Sequence, residues 1–160
     1  MRISAEIREL SRGDLEALLE AYANLHPEDD PPPAVELDRL WENICRDRRL
    51  IYIGAFSGPK LVATCTAAIV PNLTRGARPY AVTENVWTHP EYRRQGLGSA
   101  VLQELLTRCR TARCYKIMLL SDSRRGGAHE FYAHNGFDRH LKQGFVIKLK
   151  EGHGKTFTLQ

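Results

Sequence analysis

No apolar run in this sequence approaches the roughly 20 residues that a bilayer-spanning helix needs, so no membrane span is expected. Cysteine is sparse and scattered: Cys45, Cys65, Cys109 and Cys114 include no Cys-x-x-Cys pair. That argues against a zinc ribbon or a disulfide framework and for reduced thiols. The histidines (His26, His89, His129, His134, His140, His153) lack metal-ligand spacing, so no metal is expected. Charge of one sign is not in large excess: 23 basic against 19 acidic residues give a net charge of +4. With aromatics at 8% there is no aromatic-basic platform, and no nucleic-acid motif is present, so nucleic acid is not the expected partner. The start, Met1-Arg2-Ile3-Ser4-Ala5-Glu6, is too polar for a signal peptide, and the expected location is cytoplasmic. Without such a signal, Asn72-Leu73-Thr74 is a glycosylation sequon by letter only.

What is present is ordinary for one soluble domain: 160 residues, 42% hydrophobic and 26% charged, with no repeat or low-complexity tract. The expected organisation is one domain over 1–150 and a polar tail over 151–160. Ile3 to Arg8 alternates and reads as a first strand. Ser11 and Asp14 resemble a capping box with Asp in place of Glu, opening a helix whose Leu15, Leu18, Leu19 and Tyr22 share a face. Pro27 and Pro31-Pro32-Pro33 end it, and Leu37, Leu40, Trp41 and Ile44 mark a second helix. Strands are expected over Leu50 to Phe56, Leu61 to Val70, Tyr80 to Thr88, Lys116 to Ser121 and Phe145 to Leu149. Helices are expected from the glycine turn at Gly96 and from about Ala128 to Asn135, where Gly136 suits the C-terminal cap. Antiparallel strands first and β-α-β-α-β last predict an α/β (α+β mixed) fold. Its central sheet is mixed and mostly antiparallel, with helices on both faces.

The most informative stretch is Arg93-Arg94-Gln95-Gly96-Leu97-Gly98-Ser99, between an apolar strand and an amphipathic helix. A helix start leaves backbone N–H groups unpaired and carries partial positive charge. Gly96 and Gly98 let a bulky anion approach closely, so the turn reads as a pyrophosphate cradle. It is not a dinucleotide fingerprint, because position 101 is Val. It is not a Walker turn either, because the Gly-Lys-Ser/Thr triplet is missing.

A second element follows about 35 residues on: Ala128-His129-Glu130-Phe131-Tyr132, running to Gly136-Phe137. Together with Thr88-His89-Pro90-Glu91-Tyr92 at the strand end, the two motifs resemble the GNAT superfamily of acyl-CoA N-acyltransferases over roughly residues 50 to 149. That resemblance implies acetyl-CoA as co-substrate, held at its pyrophosphate by the backbone from Arg94 through Ser99. It implies that Val86, Trp87 and Thr88 pair with the pantetheine arm in strand-like fashion, or else simply pack in the core. It is also compatible with a homodimer.

The reaction then sets requirements. An alkyl amine of pKa about 10 must lose a proton before it attacks, and the departing thiolate needs one. The resemblance places Tyr132 near the thioester sulfur as the acid; the alternative is a purely packing tyrosine. Glu84, on the strand leading to the donor site, is the candidate base through water. It is expected to be partly buried and on the same face as Val86; the alternative is a structural carboxylate. Cys114-Tyr115-Lys116-Ile117, with Glu84-Asn85 before it, resembles glucosamine 6-phosphate N-acetyltransferases locally. Ser121 to Gly127 departs from that pattern. Arg75, Arg78, Arg124 and Arg125 are candidates to meet an anionic acceptor, or ordinary solvated surface. The overall expectation is an N-acetyltransferase for a small primary amine. The alternatives are a protein or peptide N-acetyltransferase and a non-catalytic CoA-binding module.

Overall fold

The computed structural model describes residues 4–30 and 33–149; the tail expected over 151–160 lies outside them. In chain order the elements are β1 (Glu6–Glu9), a 3-10 turn (Arg12–Asp14), α1 (Leu15–Leu25), α2 (Ala34–Arg46), β2 (Leu50–Ser57) and β3 (Lys60–Val70). A single turn α3 (Thr74–Ala77) precedes β4 (Tyr80–Thr88), and a 3-10 turn (Pro90–Tyr92) leads to α4 (Leu97–Thr111). β5 (Ile117–Met118) and α5 (Gly126–His134) complete the described elements. The strands form one sheet in the order β1-β2-β3-β4-β5. The first four are antiparallel, and β5 is parallel to β4. The mixed, mostly antiparallel sheet expected from the sequence is therefore present.

Both faces of the sheet are covered. Ile53, Ala55, Val62, Ala63, Cys65 and Ala81 pack against Val101, Leu102, Leu105 and Cys109 of α4. On the other face Phe56, Leu61 and Trp87 pack against Leu18 and Ala21 of α1 and Trp41 of α2. The α2 face is narrower than its pattern suggests: Trp41 is buried, but Leu40 is exposed. The entry into α1 is fixed by the Ser11–Asp14 pair. Ser11 N–H and Oγ–H both donate to the Asp14 carboxylate, at 2.7 and 2.8 Å. Arg8 donates to both oxygens of the same carboxylate at 2.8 Å. These bonds, the Arg8 pair foremost, hold the Asp14 carboxyl well below the usual carboxylate range.

Two expected strands differ. Lys116 to Ser121 yields only the two-residue β5, and Phe145 to Leu149 forms no strand at all. Phe145, Val146, Ile147 and Leu149 are instead exposed. Alternation of apolar residues sets a preference for extended backbone, but a strand also needs a neighbour to pair with, and among the described residues this segment has none.

β4 carries the other departure. Thr66 pairs with Glu84 and Thr64 with Trp87, so two steps on β3 face three on β4. The extra residue is a bulge, and Asn85 within it has φ of 51°. The bulge reverses the side-chain alternation. Ala81 and Val86 both pack on the α4 side, whereas Trp87 packs on the α1–α2 side. Glu84 and Val86 therefore do not share a face, contrary to the simple period of two.

Candidate active site

The site is built where β4 and β5 part. They pair only at Ala81–Ile117 and Val82–Met118. Beyond Val82, β4 runs on to Thr88 with no strand on its β5 side among the described residues, so backbone groups on that side are open to an extended ligand arm, Glu84 O and Thr88 O excepted, which accept from Thr66 and Arg93. Of the residues expected there, Val86 is half-buried in the α4-side cluster, Trp87 is buried on the opposite face, and Thr88 closes the strand.

The chain then turns into α4. His89 caps the 3-10 turn, its Nδ1 accepting from Glu91 N–H at 3.3 Å. Arg93 Nε donates to Thr88 O at 3.2 Å, and Gln95 Nε2 donates to Glu91 O at 3.1 Å. These side chains fold back and brace the loop. Arg94 and Gly96 adopt left-handed backbone, φ 59° and 84°. The first backbone bond of the helix runs from Ala100 N–H to Gly96 O. Among the described residues, the N–H groups of Arg94, Gln95, Gly96, Leu97, Gly98 and Ser99 find no acceptor, and no side chain caps the helix. An unpaired amide array at a helix start is chemistry suited to a phosphate-bearing anion.

Gly96 has open space around its Cα, as a cradle requires. Gly98 differs from the expectation. A Cβ there would come within 2.9 Å of Thr88 Oγ1 and 3.4 Å of the Phe131 ring. Its small size lets α4 lie against β4 and α5 rather than opening space for a ligand. Phe131 therefore belongs to the support of the turn, as does Asn135. Asn135 Nδ2 donates to Ser99 Oγ at 3.1 Å and to Phe131 O at 2.8 Å, and Gln103 Nε2 donates to Asn135 Oδ1 at 3.3 Å. The sequence gives no local signal for the contacts of Asn135 with Ser99 and Gln103, because they join positions more than thirty residues apart.

Tyr132 lies on α5, half-buried, with its ring edge-on to Phe131 and Phe137 at 5.2 and 6.0 Å between centroids. The side-chain hydrogen bonds of α5 and its cap are made by His129, Glu130 and Asn135, not by Tyr132. Burial pushes the Tyr132 phenol above its ordinary value, the Arg125 cation opposes this, and Cys65 and Glu84 add to the rise. The charges of Arg125 and Glu84 thus both bear on the Tyr132 phenol. Glu84 itself is exposed rather than partly buried. Its backbone is pinned by Thr66 Oγ1, which donates to Glu84 O at 3.0 Å. Next to it, Asn85, named from the sequence only as part of the Glu84-Asn85 pair, is left-handed, a conformation that asparagine tolerates.

The remaining basic candidates scatter. Arg124 is paired with Asp122 at 2.8 Å. Arg75 and Arg78 stand about 6 Å from the Tyr115 ring, beside the start of β4. The nine-residue β4, about 26 Å long at roughly 3.3 Å per residue, runs between them and the loop that leads to α4. Of the four arginines, only Arg125 is brought to Tyr132.

A family model for acetyltransferase (GNAT) domains matches residues 15–137 of the chain. The chain belongs to the GNAT acetyltransferase family. It is 32% identical over 144 residues to a glucosamine 6-phosphate N-acetyltransferase of Trypanosoma brucei brucei, covering 88% of this chain and 94% of that one. Among solved structures, an acetyltransferase of Agrobacterium tumefaciens C58 superposes with TM-score 0.84 at 38% identity, over 90% of this chain and 99% of that one. A Trypanosoma brucei acetyltransferase gives TM-score 0.76 at 30% identity, over 91% of this chain and 100% of that one. This GNAT chain is accordingly an acetyl-CoA-dependent acyltransferase, and the turn at Arg94–Ser99 fits the pyrophosphate of such a donor. Among the described residues no group of His, Cys, Asp and Glu is placed to hold a metal ion. None of the helices among those residues is long and apolar enough to cross a membrane.

Proposed function

We propose that this GNAT enzyme transfers an acetyl group from acetyl-CoA to the primary amine of a small molecule by direct attack. Acetyl-CoA supplies the activated thioester. The amides of Arg94 through Ser99 bind its diphosphate, and the open edge of β4 at Val86, Trp87 and Thr88 orients its pantetheine arm. Glu84 takes the ammonium proton through water, and Tyr132 donates a proton to the departing thiolate. The observation that carries this reading is the run of acceptorless amides in line with an unpaired strand edge, with Tyr132 and Glu84 close enough to influence each other.

A phenol is protonated at neutral pH, as a proton donor to the thiolate must be, and the upward shift of Tyr132 keeps it so. An amino-sugar phosphate is the first acceptor to test, because of the 32% identity to the Trypanosoma protein of that specificity. The free cysteines suit a reducing compartment such as the cytoplasm.

The test is thiol release from acetyl-CoA across amino sugars and their phosphates, polyamines, amino acids, aminoglycosides and lysine peptides. Saturable turnover with one small amine supports the proposal. Turnover with peptides alone assigns the chain to protein acetylation, and tight donor binding with no turnover across the panel makes it a CoA-binding module. For Glu84→Gln the expected result is a rate loss that grows as pH falls, where the amine is mostly protonated. A pH profile identical to wild type removes Glu84 as base.

A further inference from the structure

We infer that Thr83 is a further catalytic residue: its side-chain hydroxyl donates a hydrogen bond to the carbonyl oxygen of the thioester as the tetrahedral intermediate forms. This rests on the acetyl-transfer reading above and adds a residue which that reading leaves unused. Two side-chain oxygens are closed off from solvent and find no partner among the described residues, Tyr22 Oη and Thr83 Oγ1. The Asn85 amide stands beside the Tyr22 hydroxyl. Thr83 is 1% exposed. The residue opposite it on β3 is Ala67, and Ala81 precedes it on its own face of β4. The two other buried threonines of the sheet both donate to backbone carbonyls, Thr64 to Ile53 O at 2.9 Å and Thr66 to Glu84 O at 3.0 Å. A buried hydroxyl without a partner lowers stability, and valine has nearly the same shape without that cost. The Thr83 hydroxyl thus does nothing for the fold that valine would not do better, and this points to a ligand.

The place of Thr83 in the sheet says which ligand. Val82 is the last residue of β4 that pairs with β5, so Thr83 is the first of the stretch where the two strands have parted. The donor's diphosphate belongs to the turn at Arg94–Ser99 and its arm to Val86, Trp87 and Thr88, at the far end of that stretch. The reactive end of the arm therefore points back along β4, toward Asn85 and Thr83.

The face decides the role. Ala67 and Ala81 belong to the cluster on the α4 side, and Thr83, in register with Ala67, shares their face. Tyr132 packs on the same cluster. Glu84 follows Thr83 ahead of the bulge and so projects on the other face. Base and acid stand on opposite sides of the sheet, and an amine that gives its proton to Glu84 reaches the carbonyl from the α1–α2 side. As the C–N bond forms, the carbonyl electron pair moves onto oxygen. The oxygen and the sulfur then bend away from the amine, toward α4 and α5. There the sulfur meets the Tyr132 phenol, and the oxygen meets the unpaired hydroxyl of Thr83. On collapse the pair returns to the carbonyl, the C–S bond breaks, and the Tyr132 proton goes to sulfur. A hydrogen-bond donor already fixed where charge develops lowers the barrier without reorganisation.

The test compares Thr83→Val and Thr83→Ser with wild type. The measurements are thiol release with the acceptor that the amine panel identifies, calorimetric titration of CoA and of acetyl-CoA, and thermal melts. Thr83→Val should melt at or above the wild-type temperature, bind CoA and acetyl-CoA as wild type does, and lose about 10²-fold in kcat. Thr83→Ser keeps a hydroxyl and should restore most of that kcat. A Thr83→Val protein that melts lower or does not fold shows that the hydroxyl serves the structure, and the inference is wrong. It is equally wrong if kcat is unchanged, or if acetyl-CoA affinity falls while kcat is kept, which places the hydroxyl in ground-state binding. A wild type that binds CoA but releases no thiol with any acceptor refutes acetyl transfer itself, and the role of Thr83 with it.

Discussion

At the scale of single residues, the site depends on a few groups whose surroundings differ from water. Tyr132 is the sharpest case, a phenol shifted upward by burial. Tyr132→Phe keeps the ring and its edge-on contacts, so the fold and the donor affinity should be unchanged. Loss of a positioned acid should lower kcat by about 10²-fold; steady-state kinetics with calorimetric titration of CoA measures both. Unchanged kcat would leave Tyr132 a packing residue. Asp14 is the structural counterpart. Asp14→Asn removes the charge and one of the two acceptors of the Arg8 bonds, which should cost about 1.5–3 kcal/mol at neutral pH. Because the folded-state pKa of Asp14 is depressed, its contribution is full above the unfolded value of about 3.9 and is lost as pH falls through the lower folded value. Thermal melts of wild type and variant should differ fully from about pH 5 upward and draw together progressively as pH falls below about 4 toward the depressed folded value.

At the scale of elements, legibility from the sequence followed the range of the interactions involved. β2, β3 and β4 were readable because long apolar, β-branched runs between turn residues need only a sheet to join. The Ser11–Asp14 cap and the turn before α4 were readable because their partners are near in sequence. The bulge at Asn85 was not, because one inserted residue leaves the apolar pattern almost unchanged while it exchanges the faces of everything after it. The purpose of Gly98 was hidden for a different reason: its neighbours Thr88 and Phe131 come from two other elements. Gly98→Val should therefore act as a packing lesion, lowering stability by about 1–3 kcal/mol in denaturant titration even without donor. An unchanged midpoint would mean that α4 can retreat from β4 freely. The short β5 and the 145–149 segment lay beyond a local reading altogether, since strand formation there depends on what lies alongside.

At the scale of the whole molecule, two packed faces on one twisted sheet hold the two motifs at fixed separation. Asn135 fastens α5 to Ser99 at the head of α4, so the turn before α4 and the helix that carries Tyr132 share one support. A ligand that fills the turn stabilises that support as a unit. At about 100 times its Kd, acetyl-CoA should add about 2.7 kcal/mol, a rise of roughly 5–10 °C in Tm for a domain of this size. No shift at saturation would show that the turn does not hold the donor.

The cysteine arrangement has a practical corollary at the same scale. Cys65 and Cys109 are buried, and burial pushes the Cys109 thiol up to about 12 and Cys65 higher still; Cys45 is exposed and Cys114 half-exposed. An aromatic disulfide reagent should label Cys45 and Cys114 in the native enzyme and reach Cys65 and Cys109 only as the sheet comes apart. The chain thus carries an internal gauge of its own opening, readable by colour in the same cuvette that follows coenzyme A release.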